Sequence, residues 1–178
     1  MPEPRTGRAR AWWTSDVETA SGAVESRQWI GLGGMAVTPD EDGARELGRR
    51  YLAEISSATH GLVRSRRTAG GVVLVLAGAV PLLRFGPPEL RVASDRVECR
   101  FRIEGGLLTA RAGGALVIAQ SSSASPELEL AVAGYFPRLG GTRRGRALRR
   151  AVYSRVQARA HRAISRRFLE RAALECGS

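Results

Sequence analysis

The stretch from Ala147 to about Leu174 constrains the fold most, because it keeps a helical period over its whole length. At about 100° per residue its arginines fall on one side of a helix and its large apolar residues on the other. The basic stripe is Arg155, Arg159, Arg162 and Arg166, and the apolar stripe is Tyr153, Val156, Ala160, Ile164 and Phe168. An amphipathic helix of this kind must bury its apolar stripe against another part of the chain.

The large partner predicted for this helix is an antiparallel sheet. Its clearest strand is Val97–Ile103, where apolar and charged residues alternate. Further strands, separated by glycine pairs and prolines, are predicted at 62–67, 72–77, 82–85, 107–111, 115–121 and 128–132. A shorter N-terminal helix is predicted from a cap at Asp40 or Thr38 to about Ser57. The fold class is therefore α+β, an antiparallel meander packed against a long C-terminal helix.

The length of 178 residues fits one domain, predicted to cover residues 39–178. Residues 1–38 contain Trp12, Trp13 and Trp29 but show no sustained helix or strand period. We expect them to form a poorly ordered leader. Met35 follows a Gly-Gly pair that could be a translated ribosome-binding site, so we also hypothesise that translation starts at Met35.

The charge is strongly basic and unevenly placed. The formal net charge is +11, and all 28 basic residues are arginine, which is typical of a GC-rich bacterial genome. Residues 141–178 alone carry 11 arginines against Glu170 and Glu175. A basic face of this kind can attract nucleic acid, anionic lipid or an acidic protein, although many such faces are only solvated.

Several features predict a reduced, cytoplasmic protein without a transmembrane segment. Cys99 and Cys176 show no metal-binding or redox spacing. The longest apolar stretch, at 70–83, is too short to span a membrane and contains Pro81. We expect neither a metal nor a cofactor.

Catalysis has little support in the sequence. The chain has no nucleophile-elbow, zinc-protease or phosphate-loop motif, and its histidines are His60 and His161. We therefore predict no catalytic residue and favour a binding protein. Gln157 lies within the apolar stripe and His161 on its border. Each needs a backbone group, a water molecule or a ligand as its hydrogen-bond partner.

The chain resembles the helix-grip architecture of the START-like superfamily, which includes polyketide cyclase-like proteins. The resemblance covers about residues 40–175 and is carried by VECRFRI at 97–103, ELELAV at 127–132 and the closing helix at 147–174. It implies a cavity for an apolar or aromatic small molecule between the sheet and the last helix. The implied lining is Cys99, Phe101, Tyr153, Gln157, His161, Ile164 and Phe168.

Other architectures and functions stay open at this level. The superfamily opens with a strand before its first helices, whereas residues 1–38 show no strand pattern, so a lipocalin-like fold with a terminal helix is an alternative. The basic stripe predicts, as an alternative function, binding of nucleic acid or an anionic surface through Arg155, Arg159, Arg162 and Arg166. A third reading is a module whose arginine helix docks an acidic protein.

Overall fold

The computed structural model describes residues 11–13, 17–19, 23–123, 125–138 and 146–177, with side chains described for 19, 23–123, 125–138 and 159–177. The strands are β1 (Ala11–Trp13), β2 (Val17–Glu18), β3 (Val24–Gly31), β4 (Val63–Thr68), β5 (Gly71–Leu76), β6 (Val80–Phe85), β7 (Glu89–Val92), β8 (Arg96–Gly105), β9 (Ala115–Ser121) and β10 (Glu127–Tyr135). The helices are α1 (Glu41–Ala58) and α2 (Arg146–Cys176). The predicted α+β class, with an antiparallel sheet, a shorter first helix and a long C-terminal helix, is confirmed.

The strands form one antiparallel sheet in the order β1-β3-β10-β9-β8-β6-β5-β4, with β2 added on β3 and β7 on β8. The strand that precedes α1, β3, therefore lies beside the last strand, β10. In the described part of the chain the two end strands, β1 and β4, do not pair with each other. The sheet is open, which the lipocalin-like alternative does not predict.

Helix α1 begins where its sequence predicts. The Asp40 carboxylate accepts a hydrogen bond from the Gly43 N–H at 2.7 Å and caps the first turn. Glu41 and Asp42 in that turn suit the positive end of the helix dipole. The helix ends at Ala58 with Thr59 as its C-cap, and His60 then adopts a left-handed conformation (φ 50°) before the chain enters β4.

Helix α2 is 31 residues long and extends one residue before and two residues beyond its predicted limits. In the half with described side chains, its buried positions are Ser165, Phe168, Leu169, Ala172 and Ala173. They follow the three- and four-residue spacing of one helix face. No helix in the described ranges is both long enough and apolar enough to cross a membrane.

The expectation that residues 1–38 lack a strand is wrong for residues 24–31, which form β3 within the sheet. The buried positions of this strand are Ser26, Gln28 and Ile30, and the intervening ones include Arg27. Polar residues thus occupy both faces, and the usual alternation of apolar and polar residues is missing. Residues 24–38 are part of the fold, since Ile30, Leu32 and Val37 belong to the core.

The predicted strand at 107–111 is a loop. It runs between glycine pairs with positive φ angles, Gly105-Gly106 and Gly113-Gly114, which favour turns over a continuous strand. The loop is held instead by Thr109, whose hydroxyl lies 2.7 Å from the Arg111 carbonyl and 2.9 Å from the Phe136 carbonyl.

Both helices pack on the same face of the sheet, which we call the inner face. Helix α1 lies over β4, β7, β8 and β9, and α2 lies over β3 and β10 beside α1. The Tyr51 ring of α1 meets the Phe168 ring of α2 edge to face, with centroids 5.3 Å apart. Phe168, at the end of the predicted apolar stripe, therefore packs on α1, and the two helices divide the inner face between them.

Candidate functional site

A cleft of about 360 Å³ lies between α1 and α2. Its apolar lining comes from three elements: Leu47 of α1, Leu128 of β10, and Phe168 and Ala172 of α2. Small residues in the lining, including Ala53 on α1, leave space between the two helices. This arrangement provides an apolar floor that opens to solvent between two helices.

The rim of the cleft is charged and internally paired. Glu54 is buried, and its carboxylate lies 2.7 Å from Arg167 Nε and 3.6 Å from an Arg171 guanidinium nitrogen. Arg50 lies 2.8 Å from Glu46 and 3.4 Å from Glu175, so it links α1 to α2. A bound molecule with a polar end would meet both guanidinium and carboxylate groups at this rim.

Glu46 has the strongest electrostatic perturbation at the rim. Hydrogen bonds from Arg49 and Arg50 to its carboxylate lower its pKa to about 2, against a smaller opposing effect of burial. The ionised form is therefore strongly favoured at neutral pH. Both of these ion pairs lie within α1, and only Arg50 also reaches α2, at Glu175.

The structure separates the predicted ligand-binding residues into groups. Phe168 lines the cleft, Ile164 packs partly buried against the core, and His161 is half-buried. Cys99 and Phe101 are buried on β8 beneath α1. The side chains of Tyr153 and Gln157 lie outside the described residues. Phe168 and the β8 pair thus occupy different parts of the inner face, because α1 covers β8.

Cys99 lies against α1 so closely that Gly48 is required there. A Cβ added at Gly48 would lie 2.5 Å from Cys99 Sγ and 3.0 Å from Phe101 Cζ. Burial raises the pKa of the Cys99 thiol to about 12. The side chain acts as a small apolar core residue rather than as a nucleophile or ligand contact.

The predicted anion-contact residues lie on the solvent side of α2 where they are described. Arg159, Arg162 and Arg166 are exposed, and Arg166 pairs with Glu170 at 2.7 Å. The side chain of Arg155 lies outside the described residues. No carboxylate occurs between positions 146 and 169, which contain eight arginines.

Two buried glutamines, Gln28 and Gln120, were not recognised from the sequence as site candidates. The Gln120 amide accepts hydrogen bonds from the Ala36 and Val37 N–H groups and donates one to the Val37 carbonyl. Gln28 on β3 is equally buried, but within the part of the chain that the structure describes neither of its amide atoms has a hydrogen-bond partner. For Gln28, the available signal was Ser26 two residues earlier, which places a second polar residue on the same face of β3.

The described residues contain no group of three or more His, Cys, Asp and Glu side chains arranged to hold a metal ion. Comparison with known proteins returns no match to any family model, curated protein or solved structure.

Proposed function

We propose that this chain is a START-like binding protein that holds an apolar or aromatic small molecule between the sheet and the C-terminal helix. The observation that carries the proposal is the cleft bounded by α1, α2 and Leu128 of β10. Its volume of about 360 Å³ lies in the range typical of small-molecule sites. Its floor of Leu47, Leu128 and Phe168 favours apolar surface.

Two further features support this proposal. A strand, β3, precedes α1, as the START-like resemblance requires. The buried Gln28 amide on β3 belongs to the part of the inner face covered by α2, and it has unused hydrogen-bonding capacity. Because an unsatisfied buried amide costs about 1–3 kcal/mol, a polar group on a bound molecule would be favoured near it.

The test is binding of N-phenyl-1-naphthylamine, a neutral aromatic probe whose fluorescence rises in apolar sites. We expect saturable binding by the wild-type protein and a loss of at least about tenfold in affinity for Ala53→Phe, which fills the cleft from α1. Ala163→Phe is the matched control, because Ala163 is exposed on α2 and does not line the cleft.

Native mass spectrometry of the purified protein supplies a second readout. A co-purifying small molecule present in wild type and Ala163→Phe, and missing from Ala53→Phe, would support the proposal. Equal probe affinity in Ala53→Phe and wild type would contradict it. The proposal would also be contradicted if the wild-type protein carried no small molecule by mass and showed no saturable probe binding.

As a second candidate we propose that α2 binds nucleic acid or another anionic surface through Arg155, Arg159, Arg162 and Arg166. The eight arginines at positions 146–169, without a carboxylate among them, support this function. Binding of a DNA duplex should then weaken steeply as salt rises and should drop in Arg159→Gln/Arg162→Gln/Arg166→Gln. Salt-independent binding, or none at low salt, would remove this candidate.

A further inference from the structure

A second basic surface lies at the other end of the sheet, on β4, β5 and β6. Residues 55–88 contain four arginines and no aspartate or glutamate. Val73 on β5 pairs with Arg66 on β4 and with Arg84 on β6. The two arginines therefore lie on either side of this valine on one face of the sheet. Arg64 lies opposite Val75 on the same face. We call Arg64, Arg66 and Arg84 the β4–β6 arginines.

The β4–β6 arginines are exposed, and none of them makes an ion pair within the described ranges. Arg64 donates one hydrogen bond, to the Gly61 carbonyl at 2.9 Å. Elsewhere in the sheet the arrangement is different, because Arg27 and Arg96 both contact the Glu129 carboxylate, at 2.7 and 3.0 Å. The positive charge on β4 and β6 therefore remains available to an anionic partner.

Exposed aliphatic side chains lie at the adjoining end of these strands. Leu62 is 56% exposed, Val80 40% and Leu107 44%. The backbone joins them, because the Ala77 N–H donates to the Leu62 carbonyl at 2.8 Å and the Leu107 N–H to the Pro81 carbonyl at 3.0 Å. We call Leu62, Val80 and Leu107 the aliphatic tip.

The tip is held by tight turns. Ala77 and Gly78 both have positive φ angles, 49° and 76°, and the Ala79 N–H donates to the Leu76 carbonyl at 3.1 Å. This is the turn geometry that matches the twist of a two-stranded hairpin. On the neighbouring connection the Thr59 hydroxyl accepts the Val63 N–H at 3.1 Å. The aliphatic side chains are thus presented on an ordered backbone.

Cations beside exposed aliphatic groups, on strands β4 to β6 that carry no carboxylate, complement an anionic lipid bilayer. Aliphatic side chains gain by entering the headgroup and acyl boundary, and arginines gain near anionic headgroups. Single-stranded nucleic acid would favour aromatic stacking residues, and residues 60–84 contain no Phe, Tyr or Trp. We propose that this end of the sheet docks on an anionic membrane, with the aliphatic tip in the interface and the β4–β6 arginines on lipid phosphates.

The experiment is flotation with vesicles of phosphatidylcholine mixed with phosphatidylglycerol, compared with pure phosphatidylcholine, at low and high salt. We expect binding to the anionic vesicles that weakens with salt. Arg64→Gln/Arg66→Gln/Arg84→Gln should reduce affinity by roughly 100-fold, and Leu62→Ser/Val80→Ser should reduce it by about tenfold or more. The triple lysine variant at the same three positions keeps the charge and should retain binding.

Arg45→Gln/Arg91→Gln/Arg138→Gln is the matched control, because it removes the same charge from exposed arginines that belong to neither basic surface. We expect it to float like wild type. The proposal is overturned if wild type does not bind anionic vesicles, if the β4–β6 glutamine variant binds as well as wild type, or if the control variant loses as much affinity as the β4–β6 glutamine variant. Binding to a DNA duplex without vesicle binding would also overturn it. Unchanged thermal unfolding of each variant shows that the fold is intact.

Discussion

Gln28 and Gln120 are buried amides on one sheet that differ in how their polar atoms are satisfied. Gln28→Met replaces an unpaired amide by an apolar group of similar shape, so we expect the free energy of unfolding to stay the same or rise by about 1 kcal/mol. Gln120→Met leaves the Ala36 and Val37 backbone groups without their hydrogen-bond partner. We therefore expect the free energy of unfolding to fall by about 2–4 kcal/mol. Urea unfolding of both variants measures this, and equal losses would contradict it.

The two thiols should differ in reactivity. Cys99 is buried beneath α1 with its pKa raised to about 12, chiefly by burial, whereas Cys176 is only half-buried near the end of α2. Since the thiolate is the reactive form, Ellman's reagent should modify one thiol in the folded protein and both in denaturant. A Cys176→Ser variant should show no fast reaction. Rapid modification of two thiols in the folded wild type would contradict the burial of Cys99.

At the scale of elements, the contact of α1 with β8 depends on Gly48. Gly48→Ala raises helix propensity but places a methyl group 2.5 Å from Cys99 Sγ. We expect overpacking to dominate and the free energy of unfolding to fall by about 2 kcal/mol. The double variant Gly48→Ala/Cys99→Ala should recover part of the loss. Calorimetry measures the unfolding of the single and the double variant. An unfolding midpoint for Gly48→Ala equal to that of wild type would contradict the prediction and show that α1 can shift away from β8 without loss of stability.

The stability of the protein should depend on pH through Glu46, whose ion pairs lie within α1. Its folded-state pKa is lowered to about 2 by hydrogen bonds from Arg49 and Arg50, so its stabilising effect is complete above its unfolded pKa of about 4.5. That effect is lost as pH falls from about 4.5 to about 2. Because the group is partly exposed, we expect Glu46→Gln to cost only about 1 kcal/mol at neutral pH.

The measurement is the free energy of unfolding of wild type and Glu46→Gln as a function of pH. The difference between them should shrink as pH falls below about 4.5 and approach zero near pH 2. Glu41→Gln in the first turn of α1 serves as a control on the same helix, since Glu41 makes no hydrogen bond or ion pair within the described ranges. A pH-independent difference for Glu46→Gln would contradict the role of its carboxylate.

At the scale of the whole molecule, β3 joins the N-terminal region to the last strand. A variant that begins at Met35 lacks Ile30 and uncovers the edge of β10, which carries the fully buried Leu128 and Leu130. We expect it to lose cooperative thermal unfolding and to aggregate, because an exposed apolar edge strand invites pairing between chains. A monomeric variant with a wild-type midpoint would contradict this and would favour a translation start at Met35.

Much of the architecture was predictable from local signals. The Asp40 cap set the start of α1, the two-faced alternation of Val97–Ile103 marked β8, and the 3.6-residue period marked α2. β3 was missed because Ser26 and Gln28 occupy its buried positions. In the candidate site, Phe168 was predicted, whereas Glu54 and Leu128 were not. No local pattern in the sequence indicates that Glu54 and Leu128 both lie next to α2.

The helices, most strands and the basic character could be predicted from the sequence alone, because helical and strand periods and charge are local properties of the chain. Only the three-dimensional structure shows that α1 covers Cys99 and Phe101 and that α2 lies over β3 and β10. The same holds for Leu62, Val80 and Leu107, which share one end of the sheet with the β4–β6 arginines. These placements depend on the order in which distant strands pair and on how two helices share one face, which no short stretch of sequence specifies.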